Sequence, residues 1–178
     1  RVLFRSIEVG PLVRKEISDL AKNIVIENFI LVYVRGAVKK KLLPVIKDVS
    51  NFKFIVFTDS LSEKERTIYS AEHIEFREID PVVFPDYFRR CRAIISASGY
   101  TSISEAMILN KPFFAVSIGG VLAFEQRLSL NALKNSKTDT LLLMQTSGKF
   151  INNSKTLEEL AEELIDVCSV KDIEWKAI

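Results

Sequence analysis

Histidine, cysteine, tryptophan and glycine are all scarce in this chain: one His, two Cys, one Trp and six Gly among 178 residues. A single His73 leaves no histidine cluster for zinc, and a Ser-His-Asp triad would hang on that one residue. It stands at the start of an apparent strand, which points to a structural role. Cys91 and Cys168 match no metal-ligand spacing and read as small apolar core residues in a reducing compartment. No Gly-x-Gly-x-x-Gly and no Gly-x-x-x-x-Gly-Lys-[Ser/Thr] occurs, so dinucleotide and P-loop readings fall away. No acidic Asp-x-Asp pair is present, and neither a metal nor a cofactor is expected. An excess of one charge is lacking too: 25 basic against 23 acidic residues give a net +2, too even to announce nucleic acid. The local clusters Lys39-Lys40-Lys41 and Arg89-Arg90-Cys91-Arg92 read first as solvated helix faces, with a phosphate or membrane-surface contact as the alternative. Apolar runs stay well below the ~18 residues of a membrane span, and no signal-peptide pattern is visible. The chain opens on Arg1, in the middle of an apolar stretch, and is expected to be a piece of something longer.

What remains is a globular composition, 48% hydrophobic, arranged as short β-branched runs alternating with amphipathic stretches. The runs Phe29–Val34, Lys53–Thr58, Ile74–Glu78, Ala93–Ser96, Phe113–Ser117 and Thr140–Met144 predict six strands. The first is apolar throughout, as in a strand covered on both faces; the third alternates, as nearer an edge. Helical patterns cover Lys15–Ile24, Val38–Val49 (with Pro44 inside), Val83–Cys91, Thr101–Leu109 and Leu122–Asn135. A last one begins at the capping box Thr156–Glu159. Alternation of this kind predicts an α/β fold, a doubly wound and mainly parallel six-stranded sheet. Its ligands would bind at the carboxyl ends of the strands, near the switch point of strand order. Residues 1–14 carry Gly10-Pro11 and read as a linker or hinge; residues 15–178 read as the domain.

Two strand-to-helix loops carry the chemistry. Ser96-Ala-Ser-Gly-Tyr-Thr-Ser-Ile-Ser-Glu105 gathers small hydroxylated residues around Gly99 at a helix start, where unpaired N–H groups and the macrodipole suit a phosphate. Glu105, one turn on, has two readings: a carboxylate that accepts from a vicinal diol, or the far half of a Ser102–Glu105 capping box. In Ile118-Gly-Gly-Val-Leu-Ala-Phe-Glu-Gln-Arg127, Gly119 and Gly120 permit close backbone approach. Glu125 and Gln126 there are ligand-facing polar groups or simply good first-turn residues. Near Gly36, Arg35 or the loop amides are further phosphate candidates.

Ser98-Gly-Tyr-Thr-Ser-Ile-Ser-Glu-Ala106, Asn110-Lys-Pro112, Gly119-Gly120 and Phe124-Glu-Gln126, taken in order, resemble the C-terminal, donor-binding half of GT-B glycosyltransferases. The family-28, MurG-like group is the nearest in pattern. Gly10-Pro-Leu-Val-Arg14 is similar to the interdomain segment of that group, and Glu78-Ile-Asp80 to its base-side loop. The resemblance runs from about Gly10 to Leu133. It implies a Rossmann-like half of a GT-B fold and transfer of a sugar from a nucleotide sugar, a UDP-sugar such as UDP-N-acetylglucosamine, without metal. It assigns Arg14, Ile79, Ser98, Gly99, Tyr100, Thr101, Ser102 and Glu105 to the nucleotide, with Glu105 at the ribose, Ile79 near the uracil and Arg14 facing phosphate. Gly119, Gly120, Glu125 and Gln126 are assigned to the donor sugar. The catalytic base would belong to an N-terminal acceptor domain, or a separate acceptor subunit, that the chain lacks. Any peripheral membrane contact of this otherwise cytoplasmic protein would come through that part. A UDP-sugar hydrolase or epimerase, or a non-catalytic nucleotide-binding subunit, would use the same pocket. Two departures stand out: the Gly-rich first loop is reduced to Arg35-Gly36-Ala37, and Ser129-Leu130 replace a common Asn-Ala.

Overall fold

A computed structural model of the chain describes residues 13–97 and 99–116. Five parallel strands form one sheet in the order β3-β2-β1-β4-β5: β1 Phe29–Val34, β2 Lys53–Thr58, β3 Ile74–Glu78, β4 Ala93–Ala97 and β5 Phe113–Val116. The helices are α1 Lys15–Leu20, α2 Ala37–Asp48, α3 Glu63–Tyr69, α4 Phe84–Arg90 and α5 Tyr100–Ile108, with a 3-10 turn at Ala21–Asn23. The expected α/β, Rossmann-like half is present. The sixth expected strand, Thr140–Met144, and the helices expected at Leu122–Asn135 and from Thr156 lie outside the described residues.

Strand alternation divides the core into two layers. On one face Ile30, Val32 and Val34 of β1, with Phe54 and Val56 of β2, pack against Val38, Leu42, Val45 and Ile46 of α2. On the other, Phe29, Leu31 and Phe57 meet Ile17 of α1, Phe84 and Phe88 of α4, and Ile103 and Ala106 of α5. Helices therefore cover both faces, which is why β1 is buried almost throughout and reads as one apolar run. β3 borders the described sheet; Ile74 and Phe76 pack against the α2 layer, and no residue of the strand is fully buried.

Three local features were legible only in part. Helix α2 runs through Pro44, so the Lys40 carbonyl loses the N–H that another residue would offer it. Helix α3, which the apolar pattern does not announce, buries no residue; it is held at its start by a capping box. There Ser62 Oγ accepts from Glu65 N–H at 3.2 Å, and Glu65 Oε2 accepts from Ser62 N–H at 2.9 Å. Helix α5 ends on Asn110 in the left-handed region, φ 52°. Lys111 N–H there reaches the Ala106 carbonyl at 2.9 Å and Asn110 N–H the Met107 carbonyl at 3.1 Å, the Schellman arrangement, which Asn tolerates better than most residues. Pro112 then prevents further helix.

His73 serves structure, as its position predicts: its Nε2 lies 3.1 Å from the Ile46 carbonyl, and its ring meets Phe54 edge-on. Cys91 is fully buried and its thiol is pushed up to about 12 by burial, so it stays protonated and inert. Cys168 lies outside the described residues.

Candidate nucleotide site

Strand order reverses between β1 and β4, so the loops that follow these two strands diverge and open a crevice at the carboxyl edge. One wall is the turn from β4 into α5. Gly99 is the N-cap of α5, in extended conformation and with no side-chain hydrogen bond to the helix start. A Cβ placed on Gly99 would meet nothing within 4 Å. Tyr100 and Thr101 are exposed here and Ser102 half-buried. Among the described residues no side chain caps the helix start, whose first-turn amides favour an anion. Ser98 lies outside the described residues.

The helix start at Tyr100 also decides between the two readings of Ser102 and Glu105. With Gly99 as N-cap, Ser102 is already inside the first turn and Glu105 in the second, so no Ser102–Glu105 capping box forms. Glu105 instead turns into the protein, 1% exposed. Its partner is Arg14, whose Nε donates to Oε1 at 2.6 Å and whose Nη2 donates to Oε2 at 2.8 Å. This is the two-pronged geometry in which guanidinium and carboxylate bind most strongly. The hydrogen bond to Glu105 raises the Arg14 pKa further above its usual value, against the opposing effect of burial. Arg14 is the N-cap of α1 and its guanidinium lies over the Phe84 ring, 5.7 Å from the centroid. Ile79, after β3, packs on the same face of the sheet. Arg14, Ile79, Gly99 and Glu105 therefore belong to one side of the molecule. So does Ser96, paired in register with Tyr33, whose buried hydroxyl has no partner among the described residues.

The loop after β1 is different. Gly36 takes φ 55° and ψ −130° at the start of α2, a conformation close to glycine-only. Its N–H donates at 3.2 Å to Oδ2 of Asp59, which follows β2. Lys39 Nζ lies 3.2 Å from Asp59 Oδ1 and donates to the Ser60 carbonyl at 3.1 Å. Burial alone would raise the Asp59 carboxyl; the Gly36 amide, Lys39 and Thr58 outweigh it and hold the group below its usual range. The protein's own carboxylate thus occupies the position where the sequence suggested the Gly36 amide for phosphate. Sequence reasoning missed Asp59, and it placed Lys39 on a solvated face, whereas Lys39 is 7% exposed. The signal available was a lone Asp at the end of an apolar strand, beside a helix start with no capping side chain.

Arg89 and Arg90 also correct the solvated-face reading. Arg89 bonds Asp86 at 2.7 Å and the Asn23 carbonyl at 2.9 Å; Arg90 bonds Glu27 at 2.7 Å and lies over Tyr87. They stitch α4 to the segment before β1. Gly119, Gly120, Glu125 and Gln126 lie outside the described residues. Among the described residues no group of three or more His, Cys, Asp or Glu is placed to hold a metal, and no helix is long and apolar enough to cross a membrane.

Comparison with solved structures shows the fold. A glycosyltransferase of kitacinnamycin is 10% identical, with a TM-score of 0.52 over 94% of this chain and 39% of its own. Arabidopsis thaliana UGT89C1, complexed with UDP-L-rhamnose, is 12% identical, with a TM-score of 0.55 over 86% of this chain and 37% of its own. Medicago truncatula UGT71G1, complexed with UDP-glucose, is 14% identical, with a TM-score of 0.54 over 93% of this chain and 38% of its own. The chain thus spans about two-fifths of the length of these enzymes. No curated protein sequence matches it. The family model described as Glycosyl transferase family 1 matches residues 4–147, and the match covers most of the chain: it belongs to glycosyl transferase family 1.

Proposed function

We propose that the chain is the donor-binding half of a glycosyltransferase that moves a sugar from a nucleotide sugar, a UDP-sugar such as UDP-N-acetylglucosamine, to an acceptor. The observation that carries this reading is the uncapped start of α5 at Gly99, beside a buried carboxylate at the switch point of the sheet. The UDP-sugars in the plant structures support the nucleotide; the family-28 likeness of the sequence from Ser96 to Arg127 supports the finer placement. In this reading Tyr100, Thr101 and Ser102 surround the diphosphate, Glu105 takes the ribose hydroxyls and Ile79 lies near the base. Gly119, Gly120, Glu125 and Gln126 meet the sugar.

An acceptor oxygen attacks the anomeric carbon as the nucleoside diphosphate leaves. The half-domain contributes orientation and stabilises the charge that grows on the leaving group. Helix-start amides and a guanidinium serve that end, so transfer is proposed to need no metal. The base and the acceptor site belong to the acceptor half, on the same or a separate chain, which is also where contact with a membrane would arise.

Calorimetry or ligand-observed NMR with UDP, dTDP and ADP tests the site. UDP is expected to bind; no response to any nucleotide at millimolar concentration overturns the reading. With the acceptor half present, transfer is expected to persist in EDTA, and loss restored by manganese removes the metal-free part. Free sugar released without acceptor identifies a hydrolase instead.

A further inference from the structure

The carboxylate assigned to the ribose is not open to it. Both Glu105 oxygens are held by Arg14, and the Glu105 side chain is 2% exposed against 39% for Arg14. Each carboxylate oxygen has two lone pairs and the fork of Arg14 takes one on each, but the second pairs do not face solvent. Whatever approaches Glu105 from the solvent side meets the guanidinium first. We propose that Arg14 is a latch that sets the nucleotide specificity of this site: a 2′,3′-diol reaches Glu105 only by displacing the guanidinium. The proposal rests on the ribose role of Glu105 stated above.

The anchoring of Arg14 fits a side chain that swings while its backbone stays. Its carbonyl accepts from the Ile17 and Ser18 amides, both at 3.1 Å, and Ile17 is fully buried, so the helix start is fixed. The guanidinium is held by Glu105 and by the face of Phe84, contacts that a change of side-chain rotamer breaks together. The gain from two diol hydroxyls on a carboxylate is then offset by the loss of a charge-assisted pair. A nucleotide without the diol leaves the latch closed and incurs no such loss. The latch therefore lowers discrimination between ribose and dideoxyribose.

The test compares the affinities of UDP and 2′,3′-dideoxyuridine diphosphate in the parent chain, in Arg14→Met, which keeps an apolar stem over Phe84, and in Arg14→Lys, which keeps the charge without the fork. Thermal unfolding and circular dichroism confirm that each variant is folded. The preference for the diol is expected to rise in Arg14→Met by about fivefold or more, the low end of couplings between linked sites, with Arg14→Lys in between. The Arg14 Nε–H resonance of the parent is expected to move with UDP and to stay with the dideoxy compound. A preference that falls in Arg14→Met overturns the latch and makes Arg14 a positioning residue for Glu105. Equal affinity for the two nucleotides in all three proteins removes the ribose role itself, and the latch with it. Absence of UDP binding in all three removes the donor site altogether.

Discussion

Two helix starts open onto the same edge of the sheet; no described side chain caps either, and they differ in the charges beside them. At the start of α2, Asp59 accepts from Gly36 and meets the buried Lys39, so donor, anion and cation are all supplied by the chain. At the start of α5, Gly99 supplies no side chain to the helix amides, and the carboxylate nearby, Glu105, is turned inward onto Arg14. The start of α5, beside a neutralised pair, is the one proposed to receive a ligand. At Arg35-Gly36-Ala37 an internal carboxylate, Asp59, thus holds the Gly36 amide.

Breaking the α5 side has the largest expected effect. Arg14→Ala leaves Glu105 buried without its counter-charge, a defect that costs 3–5 kcal/mol in a fully buried pair; because Arg14 is partly exposed, about 2–3 kcal/mol is expected. A urea midpoint unchanged from the parent would show that solvent already screens the pair.

On the α2 side the expected loss is smaller and depends on pH. Asp59→Asn removes the carboxylate between Gly36 and Lys39 and, because Asp59 is partly exposed, is expected to lower stability by about 0.5–1 kcal/mol at neutral pH, with UDP affinity unchanged. The Asp59 carboxyl is depressed below its ordinary 3.8 in the fold. Its contribution is therefore present above that value and lost as pH falls through the folded one. Acid titration of stability should show a shallower loss in the variant below pH ~4. Weaker UDP binding by the variant would instead place this loop in the site.

The two glycines sharpen the comparison further. Gly36→Ala forces a Cβ into a left-handed conformation and is expected to cost about 1–2 kcal/mol, although nothing lies near enough to clash. Gly99→Ala changes an extended N-cap with open space around it, at a cost of about 0.5–1 kcal/mol; any larger effect should appear in nucleotide affinity. Equal stability losses at the two positions would erase the distinction. Last and smallest, Cys91 should not react with a thiol reagent in the native protein. With Cys168→Ser as the starting protein, modification is expected only on unfolding, and rapid native labelling would contradict the burial of Cys91.

Periodicity made most of the sheet legible, since continuous and alternating apolar runs report burial on two faces or one. It failed at α3, which buries nothing and so has no apolar period, although Ser62 and Glu65 carried the capping signal. The same short pattern left two readings open at Ser102 and Glu105, because Ser-x-x-Glu says nothing about where the helix begins. Lys39 looked like its neighbours Lys40 and Lys41, which are exposed; only packing distinguishes it.

From the sequence by itself come the α/β class, the parallel order of alternating elements and the glycine at the β4–α5 turn, all consequences of local spacing and backbone freedom. Tertiary structure alone decided what the charged groups do. Arg14 and Glu105 are 91 positions apart and Gly36 and Asp59 are 23 apart, and their meeting follows from which strands lie side by side. The partner of a buried charge is set by what the fold brings within hydrogen-bond reach in a place that water does not share, and no local pattern carries that information.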